Sequence, residues 1–293
     1  MMLMHALTAV LAAVQPNLPE IVVEHDDTVI DQSCRVVIPD GTIIRDENGD
    51  GVIHIEADDI IVEFVDGRAE LIGAPRGTPW DELDGIGIRI DGRTGVTLRN
   101  VHSHRYRCGI YATNADGLTI ESADVSDGYA QRLRSTPQAE DGADWLTPHN
   151  NDDNQWLTKY GAAIYVEDSE GVTIRDCYAR RRQNGIILDT VAHSRVYDND
   201  FSFLSGWGLA MWRSSDNVIS RNAFDFCVRG YSHGVYNRGQ DSAGILMFEQ
   251  NNRNVFAENS ATHGGDCFFG FGGREALGEF AGEDPDDAQF ARR

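Results

Sequence analysis

Apolar and polar residues alternate with a period of two along most of the chain, in short runs closed by Gly, Asn or Asp. One phrase recurs: GIRIDGRTGVTLRN from Gly87, GIYATNADGLTIES from Gly109, AIYVEDSEGVTIRD from Ala163, GIILDTVAHSRVYDN from Gly185, GLAMWRSSDNVISRN from Gly208 and GILMFEQNNRNVFAEN from Gly244. A fading copy, DCFFGFGG, begins at Asp266. A two-residue period with β-branched and aromatic residues between turn formers predicts strands rather than helices. A repeat of about 22 residues holding several short strands is one rung of a parallel β-helix, an all-β, single-stranded solenoid whose rungs stack at roughly 4.8 Å. A leucine-rich repeat of similar length would need LxxLxLxxN, which the chain lacks.

The alternation predicts a solenoid over 21–275, with residues 1–20 as a signal peptide or N-terminal cap and 276–293 as an acidic tail. The apolar run 2–14 suits a signal-peptide core, although no Lys or Arg precedes it, and is too short to span a bilayer. Two intervals between phrases are longer than one rung, which places insertions at 128–160 and 228–243. Both interrupt the same register, just before a strand that begins GI or its equivalent, so they should wall a groove over that strand. Asn100, Ser122, Asp176, Asn199, Asn222 and Asn259 read as one repeated turn, a ladder that satisfies buried backbone.

These phrases resemble the pectate-lyase-like superfamily of right-handed parallel β-helix proteins, including carbohydrate-binding, sugar-hydrolase and NosD-type repeat modules. The resemblance implies a right-handed coil and a carbohydrate-active or carbohydrate-binding role, the superfamily including polysaccharide lyases, glycosidases and C5-epimerases. The polygalacturonase signatures NTD and GHG and the epimerase motif YGFDPH do not occur in the chain; His263-Gly264-Gly265-Asp266 is the nearest approach to the former, and Tyr231-Ser232-His233-Gly234-Val235-Tyr236 supplies Tyr and His in a loop.

Charge narrows the partners. With 47 acidic against 25 basic side chains and a net charge of −22, the chain would be repelled by a phosphate backbone, so nucleic acid is not expected. Five scattered cysteines without a CxxC pair do not form a metal-cluster pattern. His102 and His104 flank one residue, but no third zinc ligand is near in sequence. The oligomeric state is not legible.

Candidate chemistry gathers at the insertions and the GI strand. Outward alternation places Tyr165 and Glu167 on one rung and Asp189 on the next, so the two carboxylates stand one interstrand spacing apart. Such a pair suits the acid and base of a glycoside hydrolase, or a seat for a divalent cation such as calcium. An acidic polysaccharide is the expected partner, because Arg105, Arg107, Arg132, Arg134, Arg180, Arg181 and Arg182 lead into one groove edge, with Arg213 on the strand's far side, where guanidinium forks can bind carboxylate. For elimination or epimerisation at C5, His233 or Lys159 would remove a proton, Tyr231 or Tyr236 would donate one, and Arg182 or Arg213 would neutralise the uronate. Trp156, Trp212 and Tyr165 would stack on sugar rings. A non-catalytic carbohydrate-binding or structural module is the different-class alternative.

Overall fold

The computed structural model describes residues 18–136, 138–147, 149–231 and 239–272. The N-terminal apolar run, the acidic tail, His233 and Tyr236 lie outside these residues. Each repeated phrase opens on a longer strand, and nine of these pair in parallel: Thr28–Ile30, Ile53–Ile55, Ile86–Asp91, Cys108–Thr113, Ala162–Glu170, Ile186–Ala192, Trp207–Trp212, Ala243–Phe248 and Asp266–Phe271. The short strand that follows the turn builds a second nine-stranded sheet, from Glu20–Val22 to Val255–Ala257. A third face begins with Leu71–Ile72 on Ser103–His104 and continues as single parallel bridges through Asp124, Tyr178, Asp200 and Ala223 to Ser260. The result is a three-faced parallel β-helix, as the repeat predicts.

Register makes the interior a set of columns. Ile88, Ile110, Ile164, Ile186, Leu209 and Ile245 stack from rung to rung on the first sheet, and Val62, Leu98, Ile120, Ile174, Val196 and Ile219 on the second, all buried in one continuous core. Burying each such side chain contributes roughly 1.5–3 kcal/mol. The glycine opening the phrase is a packing requirement. A Cβ on Gly109 would meet Val125 Cγ1 at 2.0 Å, and one on Gly185 would meet the Gly208 carbonyl at 2.3 Å.

The expected polar ladder divides into two adjacent columns. Asn100, Ser122 and Asp176 share left-handed backbone with Asp198, Arg221 and Glu258, at φ between 52° and 58°. Asn199, Asn222 and Asn259 stand one position later, inside the coil. The Oδ1 of Asn222 accepts from the Asn199 N–H at 3.1 Å, while its Nδ2 donates to the Val196 carbonyl at 2.9 Å. The shared spacing hid a one-residue offset, because the turn and the ladder use similar residue types.

The first insertion corrects a second expectation. Instead of walling an open groove, its segment carrying Leu146, Trp156 and Tyr160 lies on the outer face of the first sheet, against Tyr165, Ile187, Trp207, Trp212 and Phe248, and forms a second apolar core. Strand Trp207–Trp212 is accordingly buried at every residue. A sheet covered on both faces favours continuous apolar runs over alternation, and GLAMW and GILMF have that form. Among the described residues no helix is long and apolar enough to cross a membrane.

Asn222→Ala should destabilise the fold by about 1–3 kcal/mol, since the Asn199 N–H and the Val196 carbonyl lose their buried partner. Urea denaturation checks this; an unchanged midpoint would contradict the ladder's role.

Candidate functional site

Two places combine polar chemistry with defined geometry. The first is the expected carboxylate pair. Glu167 and Asp189 are register partners on adjacent strands. Glu167 accepts from the Tyr111 hydroxyl at 2.6 Å and from Asn154 Nδ2 at 2.9 Å. Asp189, only 5% exposed, accepts from Asn151 Nδ2 at 2.7 Å, from Tyr165 at 3.1 Å and from Thr190 at 2.9 Å. Asn151 and Asn154 belong to the first insertion, so the pair is the polar anchor that ties the cover to the sheet. Burial, reinforced by the nearby Glu167 charge, outweighs the hydrogen bonds and raises the Asp189 pKa to about 6. The oxygens face N–H and O–H donors, whereas a calcium seat needs oxygen acceptors, so these surroundings do not fit that ion.

The cover also changes the expected sugar-stacking residues. Trp156 and Tyr165 are fully buried and Trp212 is 3% exposed, which leaves none of them a free ring face. Trp156 instead packs at 4.8 Å from Trp207 and 5.6 Å from Trp212. Outward alternation does point Tyr165 and Trp212 away from the solenoid, but the insertion, with Trp156 on its short helix, covers that face.

The arginines separate by environment. Arg182, 1% exposed, donates to the carbonyls of Val125 at 2.7 Å, Arg107 at 3.0 Å and Ala162, and so links rungs instead of facing a substrate. Burial pushes its pKa down to about 10. Arg107 holds Asp84 at 2.8 Å and lies 4.1 Å over the Tyr129 ring, and Arg213 pairs with Asp152 at 2.9 Å. Lys159 donates to the Thr147 carbonyl and lies 5.1 Å over Tyr160, with its pKa lowered chiefly by burial. Arg229, which the sequence places in the second insertion, is fully buried; it donates to the carbonyls of Asp144 and Ser205, each at 2.8 Å, and through Asp144 joins the second insertion to the first.

The second place is open. A groove of about 940 Å³ runs along the corner between the third face and the first sheet, beside the second insertion. Its floor is a ladder of equivalent corner positions. Phe203 stacks on Phe226 at 4.8 Å and 6°, and Phe226 on His263 at 4.7 Å and 9°. All three have left-handed backbone, with φ of 59°, 57° and 55°. That conformation costs a bulky residue roughly 1–3 kcal/mol, and each ring pair returns about 0.5–1.5 kcal/mol. Arg180 lies 4.6 Å over Phe203 and holds Asp200, while Arg181 grips Asp127 through Nε at 2.6 Å and Nη2 at 2.7 Å. Trp80, Tyr178 and the 39% exposed Tyr231 complete the wall. Among the described residues, Tyr231 is the expected proton-transfer residue that lines this groove, together with Arg180 and Arg181 of the expected arginine cluster; Lys159, Glu167 and Asp189 are at the covered sheet. The sequence did carry a signal for the floor in the repeated FSF and FDF, whose first Phe faces the core and whose second faces the corner.

Fold and groove together define a β-helix with a cross-rung cleft. The chain belongs to the right-handed β-helix region family, whose sequence profile matches residues 86–276. No curated protein matches it. Among solved structures, it is similar to a DFA-IIIase from Arthrobacter chlorophenolicus A6, at 13% identity and a TM-score of 0.48, over 81% of this chain and 68% of the other. It is also similar to the A-module of a mannuronan C-5 epimerase from Azotobacter vinelandii, at 11% identity and a TM-score of 0.26, over 80% of this chain and 88% of that module.

Asp189 generates a pH dependence. Its native pKa lies above the unfolded value, so the folded state holds the proton more tightly and stability falls as pH rises from 3.8 through about 6. Asp189→Asn should match the wild type near pH 4 and exceed it by roughly 2–3 kcal/mol near pH 7. Denaturation at both pH values measures the difference, and one that stays flat would contradict a buried, titrating carboxyl.

Proposed function

We propose that the protein is a carbohydrate-active β-helix that takes a chain of an acidic polysaccharide into the corner groove and acts on a uronate by β-elimination or C5 epimerisation. The observation that carries this reading is the open cleft lined by rings and guanidinium groups from successive rungs. Aromatic walls suit the apolar C–H surfaces of sugars, and Arg181 Nη1, outside its two bonds to Asp127, can meet a carboxylate. Tyr231, 5.2 Å from Phe203, and His263, stacked on Phe226, supply proton-transfer groups to the same cleft. His233 and Tyr236 belong to the insertion that carries Tyr231 and keep the roles the sequence suggests for them.

A hydrolase reading through Glu167 and Asp189 is favoured by one observation, the Asp189 pKa of about 6 beside a second carboxylate. Against it stands the cover of Asn151 and Asn154 over the pair.

Incubation with uronate polysaccharides should raise absorbance near 235 nm for elimination, or exchange solvent hydrogen into C5 for epimerisation. Tyr231→Phe and His263→Ala should each lower the rate by about 10²–10⁴-fold, and Phe226→Ala should raise KM. New reducing ends without the 235 nm signal, abolished in Asp189→Asn, would transfer the activity to the carboxylate pair. Saturable binding without turnover would establish a binding module, and full activity in all three groove variants would exclude the groove.

A further inference from the structure

The third face brings together a set of metal-ligand side chains that neither the groove nor the carboxylate pair uses. His102 and His104 are two apart in an extended segment and so share one side of it. The parallel bridge from His102 to Asp124 sets a carboxylate from the next rung beside them. One ligand atom from each of His102, His104 and Asp124 lies within 4.8 Å of the others, and all three residues are half-buried.

Their neighbours prepare them for an ion. Nδ1 of His104 lies 3.1 Å from the Ser126 carbonyl. A carbonyl only accepts, so Nδ1 carries the proton and Nε2 presents its lone pair. Asp124 Oδ1 accepts from the Ser126 hydroxyl at 2.6 Å and from its backbone N–H at 3.1 Å, which fixes the orientation of the carboxylate. One residue thus orients two ligands, as outer-shell partners do in metal sites. His102 also lines a cavity of about 260 Å³ with Asp40 and Glu70, which sets negative charge beside the site.

We propose that His102, His104 and Asp124 bind a divalent transition-metal ion of the zinc type. Two imidazoles with one carboxylate suit zinc, cobalt or nickel, whereas calcium and magnesium take oxygen ligands. Metal bonds of about 2.0–2.1 Å bring ligand atoms to roughly 3.3 Å, so side-chain rotations of about 1–2 Å close the set. Three protein ligands leave a position for water or an anionic ligand. The other three-residue grouping among the described residues, Asp27, Asp50 and His54, has a single imidazole and two exposed carboxylates already within ion-pair distance of it, at 3.5 and 3.3 Å. This proposal does not depend on the sugar chemistry of the groove.

The test is titration of chelator-stripped full-length protein with Zn²⁺ by calorimetry and with Co²⁺ by visible absorption. One saturable equivalent is expected, with cobalt ligand-field bands of a low-coordinate site. His102→Ala, His104→Ala and the near-isosteric Asp124→Asn should each lower the affinity by about 10–100-fold, with circular dichroism and melting of the metal-free proteins confirming the fold. Absence of saturable uptake by the wild type, or wild-type affinity in the folded variants, would overturn the site.

Discussion

In-register parallel stacking is the constraint on which the rest depends. Because each rung repeats the last at about 4.8 Å, residues some 22 positions apart become neighbours, and whatever one rung places at a corner or face is multiplied into a column. The aliphatic interior, the asparagine ladder, the left-handed turns and the stacked Phe203, Phe226 and His263 all follow from that rule. It also brings Glu167 beside Asp189 and His102 beside Asp124. Chemistry in such a scaffold is assembled across rungs, because side chains adjacent along one strand point to opposite faces.

The two insertions divide the surface by covering one part and leaving another open. The first lays Leu146, Trp156 and Tyr160 over the outer face of the long-strand sheet, and its polar contacts converge on Glu167 and Asp189. Desolvation raises the proton affinity of Asp189, so the anchor carries a pH-dependent cost. Arg229 then ties the second insertion to the first through buried carbonyls. The corner remains open beside this braced wall, and rigidity behind a cleft is what positions binding groups.

How legible this was depended on the range of the interaction. Alternation and repeat spacing carried the rung, the strand positions and the Glu167–Asp189 juxtaposition, because each is set by local geometry copied regularly. Register within a turn was harder, since Asn100 and Asn199 are both good turn residues and only pairing separates their columns. Exposure was hardest. Tyr165 and Trp212 do point out of the solenoid, but whether an outward ring meets water or another part of the chain is decided by segments distant in sequence.

By itself the sequence determined the parallel β-helix, the places where it is interrupted and the acidic field around it, for these follow from residue type and spacing. The tertiary structure alone decided that the first insertion closes the sheet, that Arg182 joins rungs, and that the open cleft lies at the corner. The physical reason is that burial and hydrogen bonding are satisfied by whichever groups the folded chain brings within reach, and an inserted loop's landing place is not written in its own periodicity.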